Sequence, residues 1–164
     1  MQTVCCKGVC INVPDTKGVT CHDHVAQTNA FLGSLNLPSE VTGQCDWSTI
    51  AEIGETFEVT LDAYSVTFGA FESKVEIVQY LLGYLQSMTR TRVDERDISD
   101  CKLGHFDAKR FGAFADDWTC LGWMTRIGGL LVQIGFQGPG VPSNKVRDEL
   151  DSMLDSLHLA PPLT

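Results

Sequence analysis

The sequence predicts one α+β domain over residues 1–164, in which helices pack on a mainly antiparallel sheet of about four to five strands. Two strongly apolar segments meet at Gly128 and Gly129, as in a β-hairpin, and an amphipathic helix follows them. A second apolar pattern at helical spacing covers residues 72–88. No repeat or low-complexity linker divides the chain, and its length suits a single hydrophobic core. The predicted order of elements is α-β-β-α-β-β-β-α.

The N-terminal segment, residues 1–21, is rich in cysteine, and its residues 1–19 are predicted to be irregular or to form a short strand. Its apolar residues alternate with other residues, which favours a strand. Thr20 followed by Asp23 resembles a capping box, so a helix is predicted to begin there and to end at Pro38. The alternating apolar residues are Val9, Ile11 and Val13.

The middle of the chain gives a mixed pattern. Trp47, Ile50 and Ile53 are spaced as in one helical turn, within a stretch that otherwise has no clear period. Residues 57–68 alternate as in a half-buried strand, but the apolar phase changes at residues 62–63. The change predicts either two short strands joined by a tight turn or one strand with a bulge.

The second half contains the clearest elements. Residues 72–88 carry two adjacent apolar stripes, so a helix buried against the sheet is predicted. Residues 89–102 alternate in charge, which is typical of a solvated loop or helix face. Residues 105–111 form a weaker strand candidate, whereas residues 121–127 and 130–136 predict the two strands of the hairpin.

The last predicted element is a helix that follows a break in the chain. The glycines and prolines of residues 138–142 are predicted to end the preceding strand, and Ser143 is a favourable N-cap. The apolar stripe of this helix contains Val146, Leu150, Met153, Leu154 and Leu157.

Composition and charge exclude some classes of function. The formal net charge is −9, which repels a phosphate backbone, so no nucleic-acid partner is predicted. No apolar run has the length of a membrane span, and the start of the sequence does not have the pattern of a signal peptide. Met1 is either native or added to a mature domain.

Seven cysteines are many for a chain of 164 residues. Cys45, Cys101 and Cys120 have polar neighbours, which suits disulfides and an oxidising compartment. The odd count requires at least one free or intermolecular thiol, and the connectivity stays open. Disulfides that involve Cys10 or Cys21 are also expected.

The N-terminal cysteines and histidines are the candidate metal ligands. Thiolates and imidazoles are the ligands that zinc prefers, but neither a CxxC nor an HxxxH pair occurs in this sequence. The alternative is a set of disulfide cysteines beside exposed histidines, and no cofactor is predicted. The candidates are Cys6, Cys10, Cys21, His22 and His24.

Three further patterns resemble catalytic or anion-binding sites. Cys101 or Cys120 with His105 could form a nucleophilic pair, but no glycine-flanked nucleophile supports it. The glycines of residues 135–140 precede a helix as in a phosphate loop, yet turn formation explains them better. The acidic pairs at residues 94–95 and 116–117 are expected on the surface. The absence of a catalytic constellation favours a protein that is not an enzyme.

The segment that leads into the hairpin is the candidate partner-binding region. It is rich in glycine, alanine and aspartate, which is typical of a loop, and it carries aromatic side chains. Aromatic residues are frequent anchors of protein interfaces. The candidate contacts are Phe111, Phe114, Asp116, Asp117 and Trp118.

These observations favour a non-catalytic module that recognises a protein partner. We expect a disulfide-stabilised secreted effector or an extracytoplasmic inhibitor or immunity-type protein. One alternative is a cytosolic dimeric adaptor or secretion-chaperone-like protein, which an acidic chain would suit. The predicted order of elements is similar to that of secretion chaperones and of roadblock-type and profilin-like domains, in topology only. The other is a metal- or thiol-dependent protein that uses the N-terminal cluster.

Overall fold

The computed structural model describes residues 1–13, 41–54, 56–68, 98–113, 116–127 and 130–161. Within these ranges the chain forms nine strands and one helix. In chain order they are β1 (Gln2–Cys6), β2 (Val9–Val13), β3 (Val41–Ile53), β4 (Phe57–Phe68), β5 (Ser99–Leu103), β6 (Phe106–Ala113), β7 (Trp118–Ile127), β8 (Leu130–Pro139), α1 (Asn144–Asp155) and β9 (His158–Leu159).

The predicted α+β class and its order of elements are wrong. The described chain is mainly β, with a three-stranded sheet in the order β1-β2-β9 and a six-stranded sheet in the order β3-β4-β8-β7-β6-β5. Strands form where the sequence pattern favoured irregular chain, a helical turn or a solvated segment. The helices predicted over residues 20–37 and 72–88 lie outside the described residues.

The predicted hairpin is confirmed at the centre of the six-stranded sheet. Strands β7 and β8 pair antiparallel from Trp118 opposite Pro139 to Ile127 opposite Leu130. The turn residues Gly128 and Gly129 lie outside the described residues. Strand β8 continues through Pro139, so the predicted break begins later than the first glycine of that segment.

The helical turn predicted around Trp47 is wrong, because residues 41–53 form one long strand that pairs with β4. Residues 57–68 form one continuous strand, β4, as one of the two alternatives predicted, but the bulge predicted within it does not lie on β4. The register shifts between Cys45 and Trp47, which places the irregularity on β3. A bulge of this kind changes the apolar phase locally and hides the strand period.

The solvated segment predicted over residues 89–102 is wrong at its end, where β5 forms an edge of the sheet. Lys102 pairs with Asp107 and Lys109 pairs with Asp100, both across the β5–β6 ladder. Leu103, the last residue of β5, is buried. The charges therefore protect an edge strand, and they obscured its alternation in the sequence.

Helix α1 covers one face of the six-stranded sheet and closes the main core. Ser143 caps the helix, with its hydroxyl oxygen accepting a hydrogen bond from the Val146 amide at 3.3 Å. Gly104 has a φ of 55°, and a Cβ there would lie 2.1 Å from the Leu157 carbonyl oxygen, so only glycine fits the close approach. The core includes Leu61, Leu121, Trp123, Ile134, Phe136, Leu150, Met153 and Leu154.

The N-terminal hairpin packs its apolar side on this same core. Lys7 and Gly8 have φ angles of 48° and 83°, as a two-residue primed turn requires. Strand β2 also pairs with β9, and the Asn12 amide donates a 2.8 Å hydrogen bond to the Ser156 hydroxyl. Residues 2–13, which the sequence predicts to be irregular or a short strand, therefore form a hairpin, whose core residues are Val4, Val9, Ile11 and Val13.

Candidate partner-binding surface

The loop between β6 and β7 and the end of β8 form an exposed apolar and acidic patch, which we call the Trp118 surface. It comprises Asp116, Asp117, Trp118, Pro139 and Val141, all of which are exposed. Trp118 is 52% exposed and Val141 is 45% exposed, and they belong to a small set of exposed large apolar residues in the described chain. The exposed indole next to exposed Val141 makes this patch the candidate contact surface of the described chain.

The backbone holds this surface in place through hydrogen bonds between the two segments. The Gly140 amide donates to the Asp117 carbonyl oxygen at 3.1 Å. Thr119 is fully buried, and its hydroxyl donates to the Gly140 carbonyl oxygen at 2.7 Å. The Trp118 amide donates to the Asp117 carboxylate at 2.8 Å, which fixes the turn that leads into the strand. Trp118 is therefore presented by an ordered backbone.

A stacked aromatic pair lies beneath the end of β8. The rings of Phe57 and Phe136 are parallel, with their centroids 5.0 Å apart. A Cβ at Gly138 would lie 2.3 Å from the Phe57 ring, so glycine allows the strand to pass close over that ring. Gly135 and Gly138 therefore allow close packing of the strands, whereas Gly140 adopts a left-handed backbone conformation with a φ of 72°. No helix N-terminus follows them directly, because α1 begins at Asn144.

The other predicted contact residues fall in different places. Phe111 is 2% exposed, and its ring lies against the backbone of β7 at Gly122. Phe114 lies outside the described residues. Asp116, Asp117 and Trp118 are brought together as the sequence suggested. Pro139 and Val141 were not predicted as contacts. The β7–β8 register places Pro139 opposite Trp118, and Val141 follows two residues after it.

The N-terminal cysteines form a disulfide. Cys5 and Cys10 are opposite each other in the β1–β2 ladder and are bonded, which confirms the expectation of a disulfide at Cys10. Among the described residues, no group of three or more His, Cys, Asp or Glu side chains is placed to hold a metal ion. The side chain of Cys6 is not described, and the other metal candidates, Cys21, His22 and His24, lie outside the described residues.

The expectation that Cys101 and Cys120 are paired is wrong, because both are free thiols. Burial raises the pKa of each thiol above its ordinary value. For Cys101, burial is the largest cause of the raised pKa; Arg110 and Lys109 oppose it, and Asp100 adds to it. A raised pKa keeps the thiol protonated at neutral pH, which is unsuited to a nucleophile. No hydrogen bond joins His105 to either thiol in the described chain.

One of the two predicted acidic pairs lies within the described residues. Asp116 and Asp117 are exposed, as expected, whereas residues 94–95 lie outside the described ranges. A search of the described helical structure for a segment long and apolar enough to cross a membrane finds none.

Comparison with known proteins identifies a fold but no family. No protein-family model matches the chain, and no curated protein matches it. The fold is similar to that of LpqN, a protein involved in cell envelope biogenesis of Mycobacterium tuberculosis, with 13% identity over 78% of this chain and 83% of that chain and a TM-score of 0.51. A solved protein of Bacteroides thetaiotaomicron matches with 15% identity, 78% of this chain, 45% of that chain and a TM-score of 0.40. At such identities the likeness to LpqN shows a common fold alone.

Proposed function

We propose that this chain is a non-catalytic recognition protein that acts outside the cytosol and binds a protein partner through the Trp118 surface. The observation that carries the proposal is the exposure of Trp118 on a backbone that buried Thr119 holds in place. A rigid, exposed aromatic side chain loses little conformational entropy when a partner covers it.

The charge of the surface favours a basic partner. Asp116 and Asp117 directly precede Trp118, and the whole chain carries a net charge of −9. Opposite charges at the rim of an interface steer association and reject partners of the same sign. The partner is expected to present an apolar pocket for the indole with lysine or arginine residues around it.

An extracytoplasmic location is supported by two independent features. The Cys5–Cys10 disulfide suits an oxidising compartment. The fold that this chain has in common with LpqN occurs in a protein involved in cell envelope biogenesis. Among small extracytoplasmic proteins, inhibitors and immunity-type proteins match an acidic recognition surface best.

The proposal is tested by comparing partners recovered with the wild-type protein, with Trp118→Ala and with Leu159→Ala. Leu159 is 56% exposed and lies in a different sheet, so its loss is a matched control for removing an exposed apolar side chain. A protein that wild type and Leu159→Ala both retain, but that Trp118→Ala loses, is then purified for titration. We expect Trp118→Ala to weaken its binding about thirtyfold, the usual loss at an interface anchor.

The acidic rim is tested by association kinetics with the same partner. Asp116→Asn should slow association and reduce its dependence on salt, whereas Asp148→Asn, at an exposed site on α1, should leave both unchanged. A partner whose affinity is the same for wild type and Trp118→Ala would show that recognition uses another surface. Failure to recover any partner that depends on Trp118 would also count against the proposal.

A further inference from the structure

One row of residues crosses the three-stranded sheet. Cys5 of β1 lies opposite Cys10 of β2, and Cys10 lies opposite His158 of β9. Residues directly opposite each other in antiparallel strands project from the same face, with their β-carbons about 5 Å apart. Val9 and Ile11, on either side of Cys10, belong to the core, so strand alternation places this row on the face away from it. The imidazole is therefore the cross-strand neighbour of the Cys10 half of the disulfide.

The two halves of the Cys5–Cys10 disulfide differ in exposure. Cys5 is exposed, whereas Cys10 is only 3% exposed. A thiolate opens a disulfide by attacking one of its sulfurs, and access decides which sulfur is attacked. Exposed disulfides are also the ones that exchange most readily. The exposed half, Cys5, is thus the site of attack, and the buried half, Cys10, is the leaving group.

The bond joins two strands that are already held together. The β1–β2 ladder has five paired positions, and the turn at Lys7 and Gly8 connects them. The two cysteines are five residues apart in the sequence, and a crosslink that closes so short a loop stabilises a protein less than one that closes a long loop. The ladder can therefore hold Cys5 and Cys10 opposite each other after the bond opens, so that it can form again.

The hydrogen bond of His158 assigns its ring nitrogens. Nδ1 lies 2.7 Å from the Ser156 carbonyl oxygen. A carbonyl oxygen can only accept, so Nδ1 carries a hydrogen and donates it. Nε2 is then the ring atom that gains and loses a proton. A protonated Nε2 on the cross-strand neighbour of Cys10 is suited to protonate a departing Cys10 thiolate.

We propose that Cys5 is a site of covalent attachment for a low-molecular-weight thiol, with Cys10 as the leaving group and His158 as its proton donor. The incoming thiolate attacks Cys5 Sγ, forming a mixed disulfide as the Cys5–Cys10 bond breaks. The electron pair of the broken bond leaves on Cys10 Sγ, which takes a proton from His158 Nε2. The incoming sulfur is oxidised and Cys10 is reduced, so no other oxidant is needed. The reaction consumes the disulfide once per molecule, so it is not catalytic, and it does not depend on the Trp118 surface.

The proposal is tested with reduced glutathione as the incoming thiol. A Cys6→Ser background removes the thiol adjacent in sequence, which could displace glutathione from Cys5. The free thiols of Cys101 and Cys120 do not react with reduced glutathione. Samples quenched in acid and mapped by mass spectrometry should carry glutathione on Cys5 and a free thiol at Cys10. Glutathione on Cys10, or a disulfide that stays intact while urea-unfolded protein reacts, would overturn the proposal.

The rate of opening tests the proton donor. His158→Gln should slow it about fivefold, because about half of the stabilisation of the departing thiolate is expressed in the transition state. Leu159→Ala, at the exposed neighbour in β9, should react at the wild-type rate. If His158 only supported the structure, its loss would loosen the sheet and speed the reaction. Unchanged or faster opening in His158→Gln would therefore overturn the proposal.

Two further variants test accessibility without opening a disulfide. In the Cys6→Ser background, Cys10→Ser leaves a single thiol at Cys5, and Cys5→Ser leaves a single thiol at Cys10. With glutathione disulfide as the probe, Cys5 should be modified about tenfold faster than Cys10, because susceptibility follows exposure. Equal rates at the two positions would overturn the assignment of Cys5 as the attachment site.

Discussion

Replacing Gly122 by alanine should destabilise the protein through one aromatic ring. A Cβ at this position would lie 1.9, 2.3 and 2.8 Å from three ring carbons of Phe111. Carbon atoms in proteins approach one another to about 3.5 Å, so the ring would have to retreat by about 1.5 Å. Phe111 is only 2% exposed and has little room to do so. Overpacking of this kind costs about 1–3 kcal/mol.

The same substitution also has a smaller stabilising effect, which reduces the net loss of unfolding free energy. Gly122 does not have a positive φ, so alanine fits its backbone and stabilises the protein by about 0.4–1 kcal/mol through the unfolded chain. We therefore expect Gly122→Ala to lower the free energy of unfolding by about 1–2 kcal/mol net. Urea denaturation followed by circular dichroism measures this change through the midpoint at constant m-value.

A double-mutant cycle identifies the cause. Phe111→Leu removes the two ring carbons that lie nearest to the new methyl group, at a cost of about 1–2 kcal/mol when it is made alone. The double variant with Gly122→Ala should lose less unfolding free energy than the sum of the two single losses, by about 1 kcal/mol or more. Additive costs, or a Gly122→Ala variant as stable as wild type, would refute the packing of Phe111 on β7.

Two further predictions concern the cysteines. Reduction of the Cys5–Cys10 disulfide should lower the free energy of unfolding by about 2 kcal/mol, because the bond closes a short loop of the unfolded chain. Urea denaturation with and without a phosphine reductant measures this change. In a Cys5→Ser variant, the reductant should no longer change the midpoint. An unchanged midpoint on reduction would contradict the loop-entropy argument. For Cys120, burial raises the pKa of the thiol in the folded protein. The protonated thiol therefore contributes its full stability below the pKa that the thiol has in the unfolded chain. That contribution is lost as the pH rises through the pKa of the thiol in the folded protein. Urea midpoints should therefore fall at alkaline pH, less steeply in Cys120→Ala than in wild type, and equal slopes would refute this prediction.

The parts of the fold that the sequence predicted are local in the chain. The β7–β8 hairpin joins adjacent apolar segments, and α1 has both an N-cap at Ser143 and a regular apolar stripe. Their stabilising contacts are visible in a short window of sequence. The same holds for the exposed position of Asp116, Asp117 and Trp118, which a loop-like composition indicated.

The parts that could not be predicted depend on pairing between distant segments. The charged residues of β5, Asp100 and Lys102, form ion pairs only with Lys109 and Asp107 of β6. Strand β9 has two residues, and only its pairing with β2 makes it a strand. Pro139 joins the Trp118 surface through its register opposite Trp118, which no local pattern reveals.

The pairing of β2 with β9 has a consequence for biosynthesis. The Asn12 amide is hydrogen-bonded to Ser156, 144 residues further along the chain, and the Ala160 amide donates to the Gly8 carbonyl oxygen at 2.7 Å. Strand β2 therefore leaves the ribosome long before β9, and their sheet cannot be completed until β9 has also emerged. Contacts of such long range form slowly, so the apolar side of the N-terminal hairpin remains uncovered while the segment between β2 and β9 is translated. During that interval the hairpin exposes apolar side chains, and a translocated chain would complete this sheet only after β9 had followed.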